Sequence, residues 1–463
     1  MIPTSLYNRF NTQVSKTATH INPAPLGQDE SIQHKRLAAE LQDKRLSLAE
    51  KLLQCEPLAH YQQHALHFVL KSLGYLPAPL LENFVSYLKG PTSKQYLHAN
   101  AHLRLILAVN GKLKKPLQLS KLAGLRQRFA ADAVAMQDPK VWRQASSNRL
   151  NQLNFISKKD AITVHWQDKQ IADADDGEMR VRCYRACADS TNPPNPDEVV
   201  MLYFHGGGFC IGDADTHHEF CHTLCAQTGW AVVSVDYRLA PEHAAPTALR
   251  DGIAAYQWLS QHSHTLGASS ARIVLAGDSA GGCLANLIAQ QVTTVDEQAW
   301  SDLGVAGQKT INQLQNLPPP LAQLPLYPVT DTEIDYPSWA LYGQGLLLDH
   351  DDIVVFSAAY MQRSPLHRRH VLVSPMLGDN RQLCPTYIVA AELDILRDEA
   401  FAYAEQLQSH GIKVNCHTVM GAPHGFIHFM SVHQGIKRET EYIIADFARF
   451  VAEIIEAQLM LAA

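Results

Sequence analysis

The sequence has no long apolar run. No stretch approaches the roughly 18 uninterrupted apolar residues of a membrane helix, so no membrane span is expected. The opening residues MIPTSLYNRFNTQVSKTATH carry no apolar core of the kind a secretory signal needs. Basic blocks are missing too. The 39 Lys and Arg residues are scattered and outnumbered by 45 Asp and Glu, for a formal net charge of -6. A nucleic-acid partner calls for a clustered Lys/Arg face, so that class is set aside. Cysteine is sparse, with nine in 463 residues, an odd number. That is far below the density of a disulfide scaffold and points to reduced thiols and a cytoplasmic protein. With 46% hydrophobic and 18% charged residues, the composition is that of an ordinary globular chain. Its length exceeds what one core usually holds, so a large domain with a smaller companion is expected.

Residues 1 to about 30 read as a loosely held polar tail. From His34 to Leu117 the chain looks mainly helical, with Leu37, Leu41, Leu48 and Leu52 on one face of a 3.6-residue period. A further helix is expected over Leu119 to Met136. Beyond Asp160 the character changes. Strand candidates at 162–166 and 179–186 precede a Pro-rich loop at 190–198. Then strands and helices alternate: VVMLYF (199–204), a helix near 216–228, AVVSVDY (231–237), a helix near 247–262, RIVLAGD (272–278) and a helix from 280. Such alternation implies crossover connections and a mostly parallel sheet with helices on both faces. Later strands are expected at 321–327, 386–392 and 413–419, and a long amphipathic helix at 435–458. The polar stretch 293–320, which ends in three prolines, reads as an inserted surface loop.

Two motifs carry chemistry. Gly277-Asp278-Ser279-Ala280-Gly281 is a G-x-S-x-G pentapeptide. An apolar strand enters it and a helix-compatible run leaves it, the sharp turn that exposes a serine hydroxyl. The second, His205-Gly206-Gly207-Gly208-Phe209, follows another apolar strand. Its bare backbone can bring N–H groups close to a developing oxyanion, and the N–H of Ala280 is a further donor. His205 itself suits loop stabilisation better than proton transfer. A serine is a poor nucleophile without a base and an orienting acid, and in this arrangement they follow in the order Ser, Asp/Glu, His. Asp394 falls just past the strand TYIVAAE, and His424 falls in a loop of small residues after KVNCHTV. The cluster His217, His218, Cys221, His222 and Cys225 invites a zinc reading. Its cysteines, however, lie where the first crossover helix should run, and its spacing is not that of a closed site.

These motifs resemble, in order, those of the hormone-sensitive lipase-like family of α/β-hydrolases: HGGGFCIGD (205–213), VDYRLAPEH (235–243), GDSAGG (277–282), LDILRDE (393–399) and HGF (424–426), with YPVTD (327–331) and SPMLGD (374–379) also fitting. The match covers about residues 120–455. The resemblance implies an α/β-hydrolase fold and a carboxylic-ester hydrolase acting on short- to medium-chain acyl esters. It assigns Ser279, Asp394 and His424 to the triad. It assigns the oxyanion hole to the glycines Gly206, Gly207 and Gly208, foremost the latter two, with Ala280. It implies no metal and no organic cofactor, and a helical cap built partly from the segment before the first strand. One departure is Ile395, where such enzymes often carry Pro. The expected division is an N-terminal helical extension (1–90), a helical cap segment (91–160) and the catalytic domain (161–463), with an inserted loop near 293–316. The expected partner is a small-molecule ester, and a homo-oligomer is left open. An amidase or deacetylase would use the same triad. A non-catalytic receptor on this fold would lack the catalytic histidine, which is present here as His424.

Overall fold

The strand β3 (Glu198–Phe204) is apolar along nearly its whole length, and Val200 to Phe204 are fully buried. A strand apolar on both faces belongs in the middle of a sheet covered on both sides. A computed structural model places it there. The structure describes residues 67–90, 96, 98–142, 163–187, 198–332 and 334–462. These all fall in the compact unit Gln63–Ala463. The polar tail, the leucine stripe from Leu37 to Leu52 and most of the loop at 190–198 lie outside the described residues.

Eight strands form one sheet in the order β1-β2-β4-β3-β5-β6-β7-β8. The strands β1 (Thr163–Ala172), β2 (Glu178–Cys187) and β4 (Ala231–Val235) pair antiparallel, and every pairing from β4 onward is parallel. β5 (Ala268–Asp278), β6 (Ala322–Leu326), β7 (Thr386–Leu393) and β8 (Val414–Pro423) complete it. This is the mostly parallel sheet expected from the alternating pattern, in the α/β-hydrolase architecture that the resemblance implies. The N-terminal helices α1 (Ala78–Tyr87), α2 (Ala101–Leu113) and α3 (Leu122–Met136) precede the sheet. The crossover helices are α4 (His218–Thr228), α5 (Thr247–His262) and α6 (Ala280–Thr293). α6 is buried along nearly its whole length, hence its run of Ala, Gly and Leu.

The loop expected over 293–320 is instead mostly helical. It holds α7 (Glu297–Ser301), N-capped by the Asp296 side chain, and α8 (Gly304–Leu314). The buried face of α8 is Gly307, Thr310, Ile311 and Leu314, a helical spacing in which half the members are not apolar. The hydrophobic period was therefore masked, although the fully buried Trp300 shows that the segment is packed. Short helices α9 (Pro337–Tyr342) and α10 (His350–Met361) follow β6. α11 (Arg397–Ser409) follows β7, and α12 (Gln434–Ala462) closes the chain. No helix among the described residues is long and apolar enough to cross a membrane.

Candidate active site

The parallel strands point their carboxyl ends at one edge, where open α/β sheets gather ligand-facing loops. Ser279 stands at the end of β5 with φ 53° and ψ -117°. A non-glycine residue holds such a backbone only when its surroundings over-determine it. Here they do. The Ser279 N–H donates to the Leu326 carbonyl at 2.8 Å, and its own carbonyl accepts the Cys283 N–H at 3.0 Å. Gly281 passes so close to β3 that a Cβ would collide with the Phe204 carbonyl. The serine is thus pinned outward, at the first turn of α6, whose N-terminal dipole favours negative charge.

His424 and Asp394 meet Ser279 in a single chain of hydrogen bonds. His424 Nε2 lies 2.8 Å from Ser279 Oγ, and His424 Nδ1 lies 2.7 Å from Asp394 Oδ2. The second oxygen of Asp394 accepts the Leu396 N–H at 2.9 Å, so the fully buried carboxylate is oriented from its own loop. Tyr327 packs edge-on against the His424 ring, with centroids 4.9 Å apart. Asp398 turns elsewhere, to Arg397 and to the Ser338 N–H, and Glu399 is buried against the N–H groups of Thr330 and Asp331. Ile395, the departure from the usual Pro, is buried beside Asp394.

The four expected oxyanion donors separate. The Gly206 N–H is donated to Asp278 Oδ1 at 2.7 Å, so it is spent, and its inclusion among the donors is corrected. Gly207 (φ 118°) and Gly208 (φ 60°) adopt backbones that disfavour side chains. A Cβ on Gly208 would strike the Phe356 ring of α10. The N–H groups of Gly207, Gly208 and Ala280 have no protein acceptor among the described residues. The YRLAPEH segment supports this loop. Tyr237 stacks on His205 at 4.3 Å and donates its hydroxyl to the His205 carbonyl at 2.6 Å, and the Ala240 N–H donates to the Phe209 carbonyl at 2.8 Å. His205 is fully buried, which lowers its pKa, and the neighbouring His217 lowers it further.

Asp278 is a site residue that motif reading passed over. The clue was a carboxylate closing an apolar strand, where a buried charge has to be paired. Besides Gly206, it accepts the Tyr203 hydroxyl at 2.7 Å, and it lies 3.2 Å from His217 Nε2. Burial opposes its charge, but the neighbouring His217 outweighs that and holds the carboxyl well below the ordinary range. Burial likewise disfavours the His217 imidazolium, and Asp278 reverses this and raises it. His217, Asp278 and His428 bring ligand atoms within 4.8 Å of one another, a spacing a metal could use. The donors already on Asp278 favour a buried ion pair instead. The other cysteines and histidines of the 217–225 cluster go separate ways. The His218 nitrogens bond the Tyr184 hydroxyl and the Val141 carbonyl, and Cys221 is buried in the core beneath α4.

Helix α3 contributes Arg126. Its guanidinium donates to the Cys210 carbonyl at 2.5 Å and to the Ala240 carbonyl, and pairs with Glu242. This fastens α3 to the far end of the glycine loop.

Residues 201–428 match a family described as having the alpha/beta hydrolase fold. The chain is 57% identical over 405 residues to Lipase 2 of Moraxella sp. (strain TA144), covering 86% of this chain and 92% of that one. It is 34% identical to a carboxylic ester hydrolase of Mycobacterium tuberculosis, over 76% of this chain and 86% of that one. Among solved structures, a hyperthermophilic esterase of Pyrobaculum calidifontis superposes with a TM-score of 0.60 at 26% identity, covering 76% of this chain and 98% of that one. Motif order, sheet topology and relatives converge, and the chain belongs to the hormone-sensitive lipase-like family of α/β-hydrolase esterases.

Proposed function

We propose that this protein hydrolyses carboxylic esters by two-step acyl transfer, with Ser279 as nucleophile, His424 as base and Asp394 as orienting acid. The observation that carries this reading is the unbroken chain from Ser279 Oγ through His424 to Asp394 at 2.8 and 2.7 Å. As Ser279 Oγ attacks the ester carbonyl, its proton passes to His424 Nε2. Asp394 keeps the other ring proton on Nδ1 and stabilises the imidazolium. The N–H groups of Gly207, Gly208 and Ala280 receive the oxyanion, each such donor being worth about 2.7–4 kcal/mol. His424 returns the proton to the leaving alcohol. Water, deprotonated by the same histidine, then releases the acid and restores the serine. No step needs a metal or an organic cofactor.

The substrates in this reading are short- to medium-chain acyl esters, with the N-terminal helices acting as a cap. Support comes from α3, which buries Leu122 and Ala133 while Gln127, Arg128 and Asp132 face solvent. A lid that lies on lipid would present a broad apolar face there.

The test is kinetic. Ser279→Ala and His424→Ala should each lower kcat/KM on a p-nitrophenyl ester by about 10⁴-fold or more, with the double variant hardly worse, because such residues act as a unit. Near-normal turnover in either single variant would overturn the assignment.

A further inference from the structure

The pairing of β7 with β8 contains an irregularity at the site. Ala391 pairs with Val419, but Leu393 pairs with Pro423. One residue of β7, Glu392, therefore faces three of β8: Met420, Gly421 and Ala422. An even ladder would set one residue opposite one. The two extra residues advance β8, and continuing the shifted register places His424 opposite Asp394. Without them, Ala422 would stand there. Bulges next to active sites re-aim side chains in this way, and a bulge left unpaired is a weak point in a ladder.

The bulge is not left unpaired. Glu392 Oε2 accepts the Gly421 N–H at 2.6 Å, and Glu392 Oε1 lies 2.7 Å from His98 Nδ1. Gly421 has φ 73°, and a Cβ there would collide with the His98 carbonyl. His98 belongs to the segment leading into α2. The same segment grips the chain again beyond His424. His433 Nδ1 accepts the Ile436 N–H at 3.0 Å, so the ring proton sits on Nε2 and is donated to Asn100 Oδ1 at 3.0 Å. That Asn100 oxygen also caps α2 through the Leu103 N–H at 2.9 Å. The loop bearing His424 is thus held on both sides by residues 98–100, which precede the sheet by some sixty positions.

We propose that Glu392 is a positioning residue for His424, that His98 completes its clamp on the bulge, and that the segment 98–100, at the start of the helical cap segment, is in this way part of the catalytic apparatus. The inference rests on the catalytic role proposed for His424. Neither residue touches the substrate. Their effect is to keep the imidazole aligned between Ser279 and Asp394.

Misplacing a reacting group by about 1 Å can cost about 100-fold in rate. Glu392→Ala should therefore lower kcat by about 10- to 100-fold while KM stays within about twofold. It should slow covalent capture of Ser279 by a p-nitrophenyl phosphonate by a similar factor. Glu392→Gln keeps an oxygen for the Gly421 N–H and should recover most of the loss yet stay about three- to fivefold below wild type in kcat, and His98→Ala, which removes one arm of the clamp, should fall between the Ala and Gln variants. The variants are to be compared at matched folded fraction by circular dichroism. If Glu392→Ala does not fold, the Gln and His98 variants decide: both indistinguishable from wild type in kcat would overturn the proposal. So would an unchanged kcat in a folded Glu392→Ala, or an effect confined to KM. Ser279→Ala and His424→Ala run alongside. Activity retained in those two would sink the site assignment itself. Inactivity there with a normal Glu392→Ala would sink only the clamp.

Discussion

Gly206 and Asp278 are joined by a 2.7 Å hydrogen bond from the glycine N–H to the carboxylate Oδ1. The bond ties the glycine loop after β3 to the residue that immediately precedes Ser279 after β5. The glycine loop and the turn at Ser279 therefore both hang on one buried carboxylate, and that carboxylate leans on His217.

His217→Ala should consequently destabilise the protein and slow it. Removing one partner of a buried ion pair strands the other, at a cost on the order of 3–5 kcal/mol. Urea unfolding at pH 7 reads the stability, and kcat on a p-nitrophenyl ester should drop by at least about tenfold as the Gly206 tether loosens. An unchanged unfolding midpoint would mean that Asp278 does not depend on its histidine.

Asp394 and Asp398 sit four residues apart but hold different partners. Asp394→Asn should reduce kcat by up to about 10⁴-fold, because the amide favours the wrong imidazole tautomer. Asp398→Asn removes only the contacts to Arg397 and Ser338 and should stay within about threefold of wild type. A larger loss in the Asp398 variant would refute the choice of acid.

Glu219, buried on α4, accepts the Ser431 hydroxyl and lies near Asp138 and Lys437. Burial pushes its carboxyl up to about 7. A raised pKa means that the folded state holds the proton more tightly than the unfolded chain does. The resulting stability is complete below the unfolded value and is lost as pH rises through about 7. Glu219→Gln should therefore flatten the decline in stability between pH 5 and pH 8, by at most about 3 kcal/mol at about 1.4 kcal/mol per unit. Urea midpoints at three pH values test this, and parallel curves for the two proteins would refute it.

Chain-length preference distinguishes the proposed esterase from a lipase, the name carried by the 57% identical Moraxella relative. Each buried methylene adds about 0.8 kcal/mol until the pocket is full. With p-nitrophenyl esters from acetate to palmitate, kcat/KM should peak between about two and eight acyl carbons and decline beyond, where further methylenes find no apolar surface to bury. It should show no jump at the substrate's aggregation threshold. A maximum at palmitate, or such a jump, would rule this reading out.

The sheet, the turn at Ser279 and the order of Ser279, Asp394 and His424 are legible in the residues of the chain alone. Strand and helix periods, glycines at backbone-critical positions and the residues within each motif are local properties, written within windows of ten or so residues, and the order of the motifs is read straight off the chain. The α8 helix escaped because Gly307 and Thr310 fill half of its buried face, so burial there left no apolar stripe. Long-range packing set the Gly206 N–H on Asp278 and not on an oxyanion. It alone decided that His217 pairs with Asp278 and leaves the cysteines beside it to the core. It also decided that Glu392 faces a three-residue bulge braced by His98. Each of these joins residues from 29 to 294 positions apart. Hydrogen-bond partners at such separations are set by the register of the strands and the packing of loops at the sheet edge, which no local pattern encodes.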